Sequence, residues 1–105
     1  MSNSVQTQNI LTTTSGSATG NGFKCRDSGT SFDISLSGTG ALTATVVIEA
    51  TNGGAWHEIA TTVLSGTGSD SDGFSNTGTW AMVRARTTAI SGTNAAVNVY
   101  MGGSL

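Results

Sequence analysis

The chain has 105 residues, which is the size of a single domain. Its apolar fraction of 36% is too high for a disordered linker, even though the chain contains 15 glycines and many serines and threonines. Four scattered basic residues and a net charge of −2 exclude a basic patch able to neutralise many phosphates, so nucleic acid is not an expected partner. No apolar run is long enough to predict a signal peptide or a membrane span.

The first 22 residues differ in composition from the remainder. Val5, Ile10 and Leu11 are their only large apolar residues, and the stretch after residue 11 consists mostly of Thr, Ser, Gly, Ala and Asn. Two interpretations stay open: a flexible N-terminal arm that orders along a neighbouring protein, or an edge strand followed by a loop. Residues 23–105 are predicted to form the folded domain.

Alternation of apolar and polar residues predicts β-strands within this domain. The clearest run is Leu42 to Ala50, and shorter runs surround Ile34 and Val99. Trp56 to Leu64 and Thr79 to Thr88 alternate less regularly, which indicates strands that contain a bulge or a change of exposed face. No window has helical periodicity, so no helix is expected. The predicted core contains Phe32, Ile34, Leu36, Val46, Ile48, Val97 and Val99.

Glycine-rich segments separate the predicted strands. Three Ser-Gly-Thr segments, beginning at Ser37, Ser65 and Ser91, follow predicted strands, and each is interpreted as a chain reversal because glycine readily adopts positive φ. Asn52-Gly53 predicts a type I′ hairpin between two strands. Short strands linked by such reversals predict an all-β fold, a single antiparallel β-sandwich of the jelly-roll type.

The titratable residues do not form a recognisable catalytic motif. His57 is the only histidine, and the adjacent Glu58 would point to the opposite face of a strand. Asp70 and Asp72 have the spacing of two calcium ligands, but the remaining ligands of such a loop are missing, so a polar hairpin loop is the preferred interpretation. The single cysteine, Cys25, is expected to be a small, partly buried strand residue. The sequence therefore predicts a protein that is not an enzyme and binds no metal or other cofactor.

The remaining candidates for a binding surface are aromatic and basic. Trp56 and Trp80 could stack on sugars, although both are more typical of the core or its edge in a domain with six aromatic residues. Arg84 and Arg86 share one face of a predicted strand. We expect them to pair with an acidic residue on a neighbouring strand or across a subunit boundary.

Four segments carry a resemblance to a known group of proteins. They are Thr45 to Trp56, Leu64 to Phe74, Trp80 to Arg84, and Ile90 to Thr93, and the resemblance extends over about Leu42 to Gly102. This pattern resembles small β-sandwich structural proteins of tailed bacteriophages, which include capsid decoration or cement proteins. A similar arrangement of strand, Asn-Gly turn, Trp and Val-Arg also occurs in jelly-roll carbohydrate-binding modules.

The resemblance implies a virion structural protein, specifically a capsid decoration or cement protein that stabilises the head through protein–protein contacts. Its expected partners are the major capsid protein or other virion proteins and further copies of itself, not nucleic acid or a membrane. It would be made in the bacterial cytoplasm and reside in the virion. The alternatives are a tail or fibre component and a carbohydrate-binding adhesion module. The candidate interaction residues are Val5, Ile10, Leu11, Trp56, Arg84 and Arg86.

Overall fold

The structure is a computed structural model that describes residues 5–25, 29–76 and 80–104. Every regular element in these ranges is a β-strand, so the predicted absence of helix is confirmed there, and no helix capable of crossing a membrane occurs among them. Three of the strands are more than twice as long as the sequence predicted. The strands are β1 (Val5–Thr13), β2 (Phe23–Lys24), β3 (Thr30–Thr51), β4 (His57–Asn76) and β5 (Met82–Ser104).

The strands form one antiparallel sheet. Their order is β1-β5-β3-β4, and β2 pairs with β5 as well. The all-β prediction is thus confirmed. The jelly-roll prediction is not confirmed, because that architecture needs eight strands in two Greek keys, whereas the described strands follow one continuous order.

The three Ser-Gly-Thr segments lie inside the long strands and not between them. They are aligned side by side: Ser37 is opposite Ser69 on β4 and Ala96 on β5, and Thr43 is opposite Ser91. Each strand has a register shift or a positive-φ residue at this level, including Gly40 at +75° and Gly68 at +82°. The prediction of chain reversals was wrong, since the glycines bend three adjacent strands along one transverse line, here called the crease.

The crease divides the sheet into two layers. The first layer contains residues 5–13, 30–37, 69–76 and 95–104, and the second contains residues 18–24, 42–51, 57–66 and 82–91. A straight strand of 22 residues would extend roughly 70 Å, but the longest dimension of the molecule is 45 Å. The strands therefore bend at the crease, and because buried residues of both layers belong to one hydrophobic cluster, the inner faces of the layers cover each other as in a β-sandwich.

A single hydrophobic cluster fills the space between the layers. Ile34 in the first layer and Ile48 in the second are both fully buried, and all seven predicted core residues are buried as well. From Val46 to Thr51 the strand is buried on both faces, unlike the alternating pattern expected for the whole of Leu42 to Ala50. This stretch of β3 is central in the sheet, and its outward face is covered by side chains from β5.

The N-terminal segment is part of this sandwich. β1 lies along β5 at the edge of the first layer, and a bulge between Asn9 and Leu11 places two consecutive side chains, Ile10 and Leu11, in the core. Residues 18–24 then pair with the second-layer half of β5. At Gly20 this segment approaches β1 closely, because a Cβ there would lie 2.7 Å from the carbonyl oxygen of Ile10.

The hairpin between β3 and β4 is confirmed, but its turn is not of type I′. Of its two central residues only Gly53 has positive φ, at +112°, and the loop extends from residue 52 to residue 56. Thr51 Oγ1 accepts a hydrogen bond from the backbone N–H of Gly53 and donates one to the carbonyl oxygen of Gly54. Asn52 Oδ1 accepts a hydrogen bond from the backbone N–H of Ala81, which ties the loop to the start of β5.

Candidate interaction surface

Arg84 and Arg86 lie on the outward face of the second layer, where β5 adjoins β3. Strand register places Arg84 directly opposite Glu49 and Arg86 opposite Val47. The Nε of Arg84 donates to Glu49 Oε1 at 2.8 Å, and the Nε of Arg86 donates to Glu49 Oε2 at 3.0 Å. Of the two pairings expected for the arginines, the one with an acidic residue on a neighbouring strand is observed. We call these three residues the arginine–glutamate cluster.

The carboxylate at the centre of this cluster is nearly buried. Burial alone would raise the pKa of Glu49, but the hydrogen bonds and positive charges of Arg84 and Arg86 together outweigh burial and hold this pKa below its ordinary value. Glu49 is therefore ionised at neutral pH. A buried carboxylate with a cation on each oxygen fixes the lateral position of both guanidinium groups.

Trp56, the third predicted surface residue from the folded domain, joins the cluster from the hairpin loop. The guanidinium carbon of Arg84 lies 4.3 Å from the centroid of its ring, within the range of a cation–π interaction. A Cβ at Gly22 would lie 3.1 Å from the same ring, so the indole also packs against Gly22, the residue that precedes β2. Trp56 is only partly exposed, and Arg84 occupies one part of its surface.

The cluster carries one net positive charge and has hydrogen-bond donors to spare. A guanidinium group has five N–H donors, and within the described ranges Glu49 oxygens are the only acceptors recorded for either arginine. Both arginine side chains are a quarter to a third exposed. Such an arrangement can accept a carboxylate or another oxyanion of a partner without giving up its internal bonds.

The predicted N-terminal contact residues, Val5, Ile10 and Leu11, lie on β1 in the first layer and not at the arginine–glutamate cluster. Ile10 and Leu11 are only 3% and 9% exposed and pack within the chain's own core, so they are not part of an exposed surface. The physical reason is the bulge in β1, which turns both side chains inwards. The backbone of Val5 pairs with Ser104, and its side chain lies outside the described residues.

A shallow groove on the outward face of the first layer was not predicted. It has a volume of about 580 Å³ and crosses all four strands of that layer. Gly73 and Gly102 have no side chains that could fill it, and Tyr100, whose side chain is 44% exposed, is directly opposite Asp33 in the strand register. The lining residues are Thr7, Ser31, Phe32, Asp33, Gly73, Phe74, Ser75, Tyr100, Met101 and Gly102. The only hint of this groove in the sequence was Tyr100, an aromatic residue. That its neighbours on the adjacent strands include serine and glycine is known only from the strand register.

The other titratable residues remain dispersed. The His57 ring lies 6.0 Å from that of Trp80, and Glu58 accepts a hydrogen bond from Thr61. Asp70 and Asp72 are in β4 and not in a loop, so the loop interpretation was wrong. Among the described residues no three His, Cys, Asp or Glu side chains are grouped as metal ligands.

Cys25 and Trp80 lie in the core or against it. Cys25 is buried, and its Sγ lies 3.0 Å from Thr30 Oγ1, within hydrogen-bond distance. It follows β2 and does not lie in a strand, which differs from its predicted position. Trp80 packs against the core cluster, in agreement with its interpretation as a core-edge residue.

Comparison with known proteins gives one informative similarity. No protein-family model matches the chain, and no curated protein matches it by sequence. Among solved structures, the fold is similar to that of the SPBc2 prophage-derived protein YomS, with a TM-score of 0.59 and 11% sequence identity. The match covers 98% of this chain and 96% of the other. At this level of identity the two proteins share a fold along nearly their whole length.

Proposed function

We propose that this protein is a structural component of a bacteriophage particle and that it acts through protein–protein contacts without catalysis. The observation that carries the proposal is the near-complete overlap of its fold with that of a prophage-derived protein. The resemblance of its sequence to small phage β-sandwich proteins supports the same role. Within that role, we propose that it is a decoration or cement protein of the head.

The arginine–glutamate cluster is the proposed contact with the shell. Its free N–H donors would bind carboxylates of the major capsid protein, while Glu49 keeps the two guanidinium groups in place. Each such contact at a solvated surface contributes little. Binding of many linked copies to a repeating lattice would nevertheless be strong, because the second and later contacts form at high effective concentration.

The test is co-sedimentation of the purified protein with separated heads and tails of the phage that encodes it. We expect saturable binding to heads that weakens with salt, because the contact is electrostatic. Arg86→Gln should reduce binding, whereas Thr88→Gln, an exposed change two residues further along the same strand, should not. Binding to tails alone would replace the head assignment by a tail or fibre component. Failure to bind either part would refute the particle role.

The groove beside Tyr100 favours a second candidate function, that of a saccharide-binding module. An exposed aromatic ring stacks on the apolar face of a sugar, and an adjacent carboxylate and hydroxyl groups accept and donate hydrogen bonds to its hydroxyls. Trp56 is less suited to stacking because Arg84 already contacts its ring.

Glycan-array binding followed by titration calorimetry tests this second candidate. Tyr100→Ala should abolish binding of any sugar found and leave the melting temperature nearly unchanged, because the side chain is 44% exposed. Val63→Ala, which also shortens an exposed side chain but lies in the second layer, is the control. The absence of any bound glycan, or equal binding by the Tyr100→Ala variant, would rule the candidate out.

A further inference from the structure

β4 is an edge strand along all 20 of its residues. Its only described partner is β3, so the opposite side of β4 presents backbone N–H and C=O groups that no strand covers. Edges of this kind can pair with a strand of another chain, and natural proteins usually protect them with charges, bulges or proline. Whether β4 is protected therefore decides whether it can bind a partner.

The first-layer half of β4 is protected by two aspartates. Asp70 Oδ1 accepts a hydrogen bond from the N–H of Ser71, and Asp72 Oδ1 accepts one from the N–H of Gly73. These carboxylates occupy backbone donors that an added strand would need, and they add negative charge to the edge. Asp70 Oδ2 also accepts a hydrogen bond from the N–H of Ser65, next to the crease.

The second-layer half of β4 has no comparable protection. Ala60 to Gly66 is in unbroken register with β3, and no charged residue or proline occurs between Glu58 and Asp70. Because the N–H of Ser65 bonds to Asp70 and backbone directions alternate along a strand, the N–H groups of Thr61 and Val63 also point away from β3. Two unoccupied donors are thus aligned on an uncharged, β-branched segment.

Val63 adds an apolar contact at the centre of this segment. Its side chain is 71% exposed, the most exposed of the large hydrophobic residues described. The other edges, β1 and β2, are less suitable: neither carries an exposed large hydrophobic residue among those described, and a bulge interrupts the register of β1. Unprotected backbone and exposed apolar surface therefore coincide only on β4 among the described parts of the sheet edges.

We propose that two copies of this chain form a two-fold dimer by antiparallel pairing of their β4 strands around Val63. With the axis at Val63, the two Val63 residues exchange N–H···O=C bonds, and each Thr61 lies opposite Ser65 of the partner subunit. The two valine side chains then lie side by side on one face. Glu58 faces Gly68 across the axis in this register, so no like charges are opposed. The pairing is independent of the proposed particle role.

Sedimentation equilibrium of the full chain over a range of concentrations tests the proposal. We expect a reversible monomer–dimer equilibrium that Val63→Lys abolishes and Val63→Thr, which keeps the β-branched shape, largely retains. Thr43→Lys places the same charge on the same outward face one strand further in, and it should leave the dimer intact. Circular dichroism of Val63→Lys should match that of the wild type, because the side chain is exposed.

Amide hydrogen exchange supplies the second measurement. The N–H groups of Thr61 and Val63 should be protected in the dimer and exchange rapidly in the Val63→Lys monomer, whereas the N–H of Ser71 should exchange equally in both. A wild-type protein that remains monomeric throughout would overturn the proposal. So would a Val63→Lys variant that still dimerises, or a Thr43→Lys variant that dissociates as completely as Val63→Lys.

Discussion

Replacing Glu49 by Gln should lower the stability of the protein and also remove part of its dependence on pH. The substitution deletes the charge that holds Arg84 and Arg86 and leaves two like-charged guanidinium groups on adjacent positions of one strand face. Hydrogen bonds to charged groups contribute about 1.5–3 kcal/mol each. Because both arginines are partly exposed and therefore screened, we expect a combined loss of about 2 kcal/mol in the free energy of unfolding.

The pH dependence gives this prediction a second, independent observable. The folded pKa of Glu49 lies below its unfolded value, so the stabilisation is complete above the unfolded pKa, about 4.3, and is lost as pH falls through the folded pKa. The stability difference between wild type and Glu49→Gln should therefore be largest near pH 7. It should shrink progressively below about pH 4, where the wild-type carboxyl becomes protonated.

Thermal and urea denaturation at several pH values provide the assay. For a domain of this size, a loss of about 2 kcal/mol corresponds to a decrease of about 10 °C in melting temperature. Glu58→Gln is the matched control, since Glu58 is exposed and hydrogen-bonded to Thr61 rather than to a cation. The reasoning fails if Glu49→Gln is as stable as Glu58→Gln at pH 7, or if their difference does not diminish in acid.

Three further predictions concern the sandwich itself. Ile34→Ala should cost about 2–5 kcal/mol in urea denaturation, because it empties a fully buried site; a cost below 1 kcal/mol would show that the layers are not packed there. Gly20→Ala should lower the melting temperature, since its Cβ would meet the carbonyl oxygen of Ile10 at 2.7 Å, whereas Gly54→Ala, which points into open space, should not; equal melting temperatures would contradict the close approach. Deleting residues 1–13 should abolish cooperative unfolding, because β1 contributes buried side chains, and a sharp calorimetric transition in the truncated chain would refute this.

Much of the fold follows from local residue patterns. Alternating apolar residues around Ile34, Ile48 and Val99 identified strands and the core correctly, because side chains on a strand point to opposite faces with a period of two. The same patterns identified Arg84 and Arg86 as neighbours on one face. The acidic partner, Glu49, is 35 positions from Arg84 in sequence and became evident only from the register of β3 against β5.

Only the tertiary structure decided whether the glycine segments reverse the chain or bend a continuing strand. Positive φ at Gly40, Gly68 or Gly92 is compatible both with a chain reversal and with a bend inside a continuing strand, and the local sequence is the same in both cases. The strand continues through the glycine when the residues before and after it pair with the same neighbouring strands; otherwise the chain reverses. Here they do, so three predicted reversals align as one crease. The groove beside Tyr100 and the exposed edge around Val63 follow from this long-range pairing, which composition and periodicity do not specify.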